Sequence, residues 1–162
     1  MQVAPLYVVL LSAALLTAQS TAKRKSGLPD PPKSDVPYII HADLLVETEV
    51  GEAKEETRRD EQFYVIAGAA SPVKTPLAGP EFLFQSQEIA PDKLRLYKLD
   101  VRGGRRELLA MRRKKPVAKD IRVSVFRVRE NLFRIRVYDS LAPGEYSLSP
   151  DGSNAIFCFA VE

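Results

Sequence analysis

The sequence predicts an all-β chain: an antiparallel sandwich or barrel of about eight to nine short strands. Three observations predict it. Beyond Pro37 apolar residues recur with period two in short runs, turn residues separate those runs, and no stretch keeps the 3.6-residue period of a helix. The runs are Tyr38–Glu47, Gln62–Ala67, Glu81–Ser86, Lys93–Val101, Arg105–Met111, Ile121–Val128, Asn131–Tyr138, Glu145–Ser149 and Asn154–Val161.

The two arms around Arg129-Glu130-Asn131 are the clearest pair. In the first, Ile121, Val123 and Val125 share a face, with Arg122 and Ser124 opposite. In the second, Phe133, Ile135 and Val137 share a face, with Arg134 and Arg136 opposite. Side chains two apart on a strand point the same way, so this alternation describes a sheet with one dry and one wet face. Arg102-Gly103-Gly104-Arg105 marks a second hairpin, because Gly-Gly supplies the positive φ angles of a primed turn. Pro150-Asp151-Gly152 marks a third. Two connections interrupt the pattern. Residues 67–80 are rich in small residues and proline. Residues 47–61 carry seven acids and three bases, a net of −4, and read as a charged loop or one exposed helical turn.

The N-terminus reads as a routing segment. Residues 1–22 carry no charged side chain, and the run from Leu6 to Leu16 is continuously apolar or small. That run is shorter than the roughly 20 apolar residues a membrane span needs, but it suits the core of a secretory signal peptide. Ala18-Gln19-Ser20 and Ser20-Thr21-Ala22 offer the small residues a cleavage site requires. The expectation is a signal peptide over 1–22 and export to the periplasm or medium. The alternative is a membrane-anchored protein with this segment uncleaved. It is favoured by the lack of bases before the apolar run and by Lys23-Arg24-Lys25 after it. Residues 23–37 hold four prolines and read as a Pro-rich disordered linker, leaving 38–162 as the β-sandwich domain.

Composition excludes several classes. Of 162 residues 45% are hydrophobic, too many for a wholly disordered chain, and 28% are charged, too many for a multi-span membrane protein. A single cysteine excludes a disulfide framework, and a single histidine excludes sites that need two. The net charge of +3 is too small to name a partner.

The string Leu141-Ala-Pro-Gly-Glu-Tyr146-Ser-Leu148, followed by Phe157-Cys-Phe-Ala-Val161, resembles the end of immunoglobulin-like and fibronectin-like β-sandwiches. It also resembles exported bacterial proteins of unassigned function that end in a PGEY…FxFxV signature. The resemblance implies an immunoglobulin-like β-sandwich in which Tyr146 forms a tyrosine corner. Its ring would lie in the core, its hydroxyl bonded to upstream backbone, with Leu141 as the apolar plug and Pro143-Gly144 as the turn. It carries no catalytic residue, and the Cys…Trp…Cys pattern of antibody domains is absent.

Chemistry-bearing residues are few. His41 and Asp43, read on one strand, would need further ligands to hold a metal and are expected to be a surface pair. Asp151 and Asn154 belong to a turn lacking the alternating acids of a calcium loop. Cys158 lies on a strand with two apolar faces, so it reads as a buried structural thiol rather than a nucleophile. There is no G-x-S-x-G, no phosphate-binding glycine loop and no dinucleotide fingerprint. The expectation is therefore a non-catalytic chain with no cofactor and no metal.

Charge distribution is the most informative feature. Lys93 to Arg136 holds sixteen bases and four acids, a net of +12. Arg112, Arg113, Lys114, Lys115, Arg122, Arg134 and Arg136 are the candidates for polyanion binding, with lipopolysaccharide, teichoic acid or sulfated glycan as partner. Against this stands a solvated sheet face neutralised by the acidic 47–61 segment. Tyr97, Phe126 and Phe133 read as core as readily as they read as exposed stacking platforms, which weighs against nucleic acid. The functional expectation is an exported β-sandwich with a binding or structural role at the cell envelope or outside the cell, its partner a protein or an envelope polymer. The alternative is a polyanion-binding module using the basic sheet face.

Overall fold

The structure, a computed structural model, describes Gly27 and residues 29–162; the expected signal peptide and the start of the expected linker lie outside the described residues. The described chain is all-β. In order the strands are β1 (Pro37–His41), β2 (Leu44–Glu47), β3 (Glu49–Glu52), β4 (Lys54–Arg58), β5 (Glu61–Ala67), β6 (Lys74–Thr75) and β7 (Glu81–Gln85). They continue with β8 (Leu94–Arg102), β9 (Arg105–Arg112), β10 (Lys115–Pro116), β11 (Val123–Arg129), β12 (Leu132–Val137), β13 (Gly144–Pro150) and β14 (Ala155–Val161). A single 3-10 turn, Pro91–Lys93, precedes β8.

One sheet is antiparallel with order β11-β12-β7-β1-β2. The other runs β3-β14-β13-β8-β9-β5-β4, with β10 added to β9 and β6 parallel to β14. Its end strands β3 and β4 are neighbours in the chain, separated only by Ala53. They form one bent strand that pairs with β14 through its first half and with β5 through its second. The sheet therefore curls until its two ends meet, which removes its free edges. At the bend Ala53 is buried and donates its N–H to the Asn154 carbonyl at 2.8 Å.

This curled sheet has an interior and an exterior, and β14 shows why its sequence lacks an alternating polar face. Phe157, Phe159 and Val161 point outward into the core between the two sheets, with Tyr146, Leu148, Leu94 and Leu96 from its neighbours. Ile39, Phe82, Phe84, Ile135 and Val137 of the flat sheet meet them there. Ile156 and Cys158 point inward, with Ala53, Ile66 and Leu99. A strand dry on both sides has no position for a polar residue. Phe159 joins the layers, edge-on to Phe82 at 5.2 Å and stacked on Tyr146 at 5.7 Å.

All three expected hairpins are present. Gly103 and Gly104 adopt φ of 57° and 75°, Gly152 takes 74°, and Asn131 takes 58°. Three expectations are corrected. The run Tyr38–Glu47 is two strands folded back on each other through Ala42 and Asp43, with Ala42 at φ 53°. No glycine or proline signals that turn. The acidic segment 47–61 is neither loop nor helix but strands β3 and β4, because its carboxylates face arginines across the sheet. The Pro-rich linker does not stay free up to Pro37. The Asp35 carboxylate accepts the N–H groups of Gln87, Glu88 and Ile89 at 2.9, 2.9 and 3.0 Å. The Asp35 N–H reaches the Gln85 carbonyl at 2.7 Å, and Lys33 pairs with Glu47 at 2.7 Å. This part of the segment is docked on the domain.

Candidate functional site

The seven basic candidates fall on two separate surfaces. Arg112, Arg113, Lys114 and Lys115 form the tight β9–β10 turn, in which Arg113 and Lys114 take positive φ of 50° and 62°. This turn lies against the acidic β4–β5 turn. Arg112 Nε pairs with Glu61 at 2.6 Å, Arg113 Nε with Asp60 at 3.2 Å, and the Arg113 N–H donates to the Asp60 carbonyl at 2.7 Å. The acidic turn thus pairs with Arg112 and Arg113, while Lys114 and Lys115 make no ion pair among the described residues.

Arg122, Arg134 and Arg136 lie on the outward face of the flat sheet, at its β11–β12 end. Cross-strand register places Phe126 opposite Arg134 and Ser124 opposite Arg136. The same face carries Tyr138, 65% exposed, and Phe126, 50% exposed, so of the two readings left open for Phe126 the structure takes the exposed one. The physical reason is register: Phe126 lies opposite Arg134 on the outward face, and it stays exposed among the described residues. Val125 and Val128 are also exposed along β11. The Arg122 guanidinium lies 4.4 Å from the Tyr138 ring centre, and that of Arg136 lies 5.7 Å from Phe126. Glu81 of β7 takes Arg136 Nε at 2.7 Å and Arg134 Nη1 at 3.5 Å. One carboxylate for these three arginines leaves most of their N–H groups available, and Arg134 Nε is buried without a partner.

The curled sheet's interior holds a site that sequence reading missed. At one end Arg106, 1% exposed, forms a bidentate pair with Glu49 at 2.6 and 2.8 Å. It also donates to the carbonyls of Gly68 at 3.1 Å and Ala67 at 2.8 Å, with Glu145 3.8 Å away. Glu145 in turn accepts the Ser71 N–H at 2.8 Å. Burial opposes ionisation of Glu49, but hydrogen bonds from Arg106 and Ser71, together with the guanidinium charge, hold its carboxyl below the usual range. The signal was present in the sequence: Arg106 shares its strand face with Leu108 and Ala110. On the exterior of β9, Glu107 is bonded bidentately by Arg58 at 2.9 and 2.8 Å and by Arg105 at 2.7 Å. The hydrogen bond from Arg58 is the main reason its carboxyl is lowered.

At the other end the interior opens as a cavity of about 320 Å³. Its floor is apolar, from Ile66, Leu99, Leu108 and Ile156, while Tyr64, Tyr97, Ser147, Ser149 and the Pro150–Asn154 turn supply polar atoms.

Tyr146 is buried in the core and its hydroxyl donates to the Ala142 carbonyl at 2.6 Å, four residues upstream. Leu141 is buried beside it, and Gly144 has φ 151°, where an added Cβ would lie 3.2 Å from Lys98 Cε. His41 and Asp43 are not on one strand: His41 ends β1 and Asp43 lies in the turn to β2. No group of three or more His, Cys, Asp or Glu that could hold a metal ion occurs among the described residues. Cys158 is fully buried, and burial pushes its thiol up to about 12, leaving negligible thiolate at neutral pH. Compared with known proteins, the chain matches no family profile, no curated protein and no solved structure.

Proposed function

We propose that the chain is a non-catalytic, exported binding domain at the cell envelope or outside the cell, and that it holds an anionic polymer on the outward β11–β12 face. The carrying observation is the meeting on one exposed face of Arg122, Arg134 and Arg136 with exposed Phe126 and Tyr138, with Glu81 the one carboxylate paired to these arginines among the described residues. Arginine forks bind sulfate, phosphate and carboxylate groups bidentately, and rings beneath them hold the guanidinium planes flat. The same observation selects among the basic candidates. Arg112 and Arg113 are already paired with Glu61 and Asp60 and serve the sheet rather than the polymer. Support for an immunoglobulin-like placement rests on the Tyr146 corner and its bond to Ala142.

The test is heparin chromatography of the protein and of Arg122→Ala/Arg134→Ala/Arg136→Ala. The protein is expected to elute late in a salt gradient and the triple variant markedly earlier, while Arg112→Ala/Arg113→Ala elutes with the parent. Equal elution of parent and triple variant refutes the surface. Export is tested separately by the intact mass from fractionated cells. A mass beginning at Thr21 or Lys23 in periplasm or medium supports it, and a full-length mass in the membrane fraction favours the anchored alternative.

A further inference from the structure

The cavity in the curled sheet is unlike the rest of the surface. The stretch from Lys93 to Arg136 contributes β8 and β9 to its wall and carries a net charge of +12, yet among the described residues no lysine or arginine lines it and Asp151 is the one charged lining residue. It stands on the lip, in the β13–β14 turn, and makes no ion pair among the described residues. Behind it are two phenol rings, Tyr64 from β5 and Tyr97 from β8, whose hydroxyls bond no protein atom among the described residues. Beyond the lining, Glu55 acts on Tyr64 and Asp120 on Tyr97, while the Lys93 carbonyl accepts the Asp151 N–H at 2.9 Å. Arg95, the base that acts on Tyr97, donates to the carbonyls of Asp92 and Leu94, and it stands 3.9 Å from Asp120.

We infer that this cavity binds a small cationic amphiphile: a compact apolar body seated on Ile66, Leu99, Leu108 and Ile156, carrying a protonated amine at the lip between Asp151 and the faces of Tyr64 and Tyr97. Size follows from volume. At roughly 30 Å³ per water-sized unit, 320 Å³ accommodates a body on the order of ten non-hydrogen atoms, an arylalkylamine rather than a lipid. Charge follows from the lining. An anion meets Asp151 at the lip, whereas a protonated amine gains that carboxylate and two aromatic faces. Ser147 and Ser149, whose hydroxyls lie 2.8 Å apart in the wall, hold each other and leave the floor dry for the apolar body. This surface is separate from the β11–β12 face, so either proposal can fail without the other.

The experiment is a titration of the protein, followed through its tyrosine resonances, with three matched probes: 2-phenylethylamine, 2-phenylethanol and 3-phenylpropionate. The amine is expected to saturate one site, binding about tenfold tighter than the alcohol, with the carboxylate weakest. Asp151→Asn lies in an exposed turn, so its fold is secure. It should bring amine and alcohol to equal affinity while leaving the alcohol unchanged. Ala110→Phe, which fills the cavity, should abolish binding of all three. The inference is overturned by an absence of saturable shifts at Tyr64 and Tyr97, by equal affinity for amine and alcohol in the parent, or by an amine preference that survives Asp151→Asn.

Discussion

The arginines of β9 and those of the β11–β12 hairpin come from one basic stretch of sequence, and the fold gives them opposite work. On β9, Arg106 is sealed inside the curled sheet with Glu49 and Glu145, Arg105 is bound to Glu107, and Arg112 is bound to Glu61. On β11–β12, Arg122, Arg134 and Arg136 share Glu81 and lie over exposed rings. The difference is one of neighbours. β9 lies beside β5, and β5 beside β4, so the acids of 47–61 are folded onto the first group. β11 is an edge strand in the other sheet, beyond their reach. Positive charge on a sequence therefore says little about a free cation until the strand order is known.

The sharpest way to break the comparison is to remove one charge from each side. Arg106→Met should destabilise the protein by about 3–5 kcal/mol, because it leaves buried Glu145 and half-buried Glu49 without their cation. Urea unfolding measures it, and a loss below about 1 kcal/mol would make the cluster dispensable. Acid should open the same pairs. Glu49 and Glu107 are both lowered in the folded state, so their contribution is complete above the unfolded value of about 4.5 and is lost as pH falls through their lower folded values. The melting temperature should decline below about pH 4.5, and Glu49→Gln should flatten that decline. Tyr146→Phe calibrates the scale with an uncharged bond: loss of the hydroxyl from Ala142 should cost about 1–2 kcal/mol. An unchanged melting midpoint would remove the corner. The smallest effect belongs to the exposed side. Glu81→Gln should change stability by less than about 1 kcal/mol, since its pairs with Arg134 and Arg136 are solvated, yet it should raise the salt needed to elute the protein from heparin. Cys158 should react with a thiol reagent only when the protein unfolds, because the thiol is buried and poorly ionised.

Much of the fold was legible residue by residue. The alternation of Phe133, Ile135 and Val137 with Arg134 and Arg136 placed β12 and its two faces, since period two is a local property of a strand. Gly103-Gly104 placed a turn because few residues accept its backbone angles. The turn at Ala42-Asp43 escaped because its residues are ordinary ones held at positive φ by the pairing of β1 with β2. The acidic strands escaped for another reason. Glu49, Glu52, Glu55 and Glu56 have poor strand propensity alone. The arginines that pair with Glu49 and Glu56, Arg106 and Arg105, stand 57 and 49 residues away in sequence, and Glu52 lies opposite the still more distant Ala155 of β14. Of the candidate site, the sequence picked out Arg122, Arg134 and Arg136 but did not settle Phe126 as their exposed companion: period two puts it on the Arg122 and Ser124 face, yet a large apolar side chain is as readily covered by another element as left in solvent.

The sequence by itself determined the class of structure, the positions of most strands and turns, and the existence of a basic region, because each depends on side chains within a few residues of one another. Tertiary structure decided which cations are spent on carboxylates and which are free, that the bend at Ala53 closes the second sheet, and that a cavity with one acid opens inside it. Those outcomes depend on which strands become neighbours, and that choice is made by burial of the whole core at once rather than by any local run of residues.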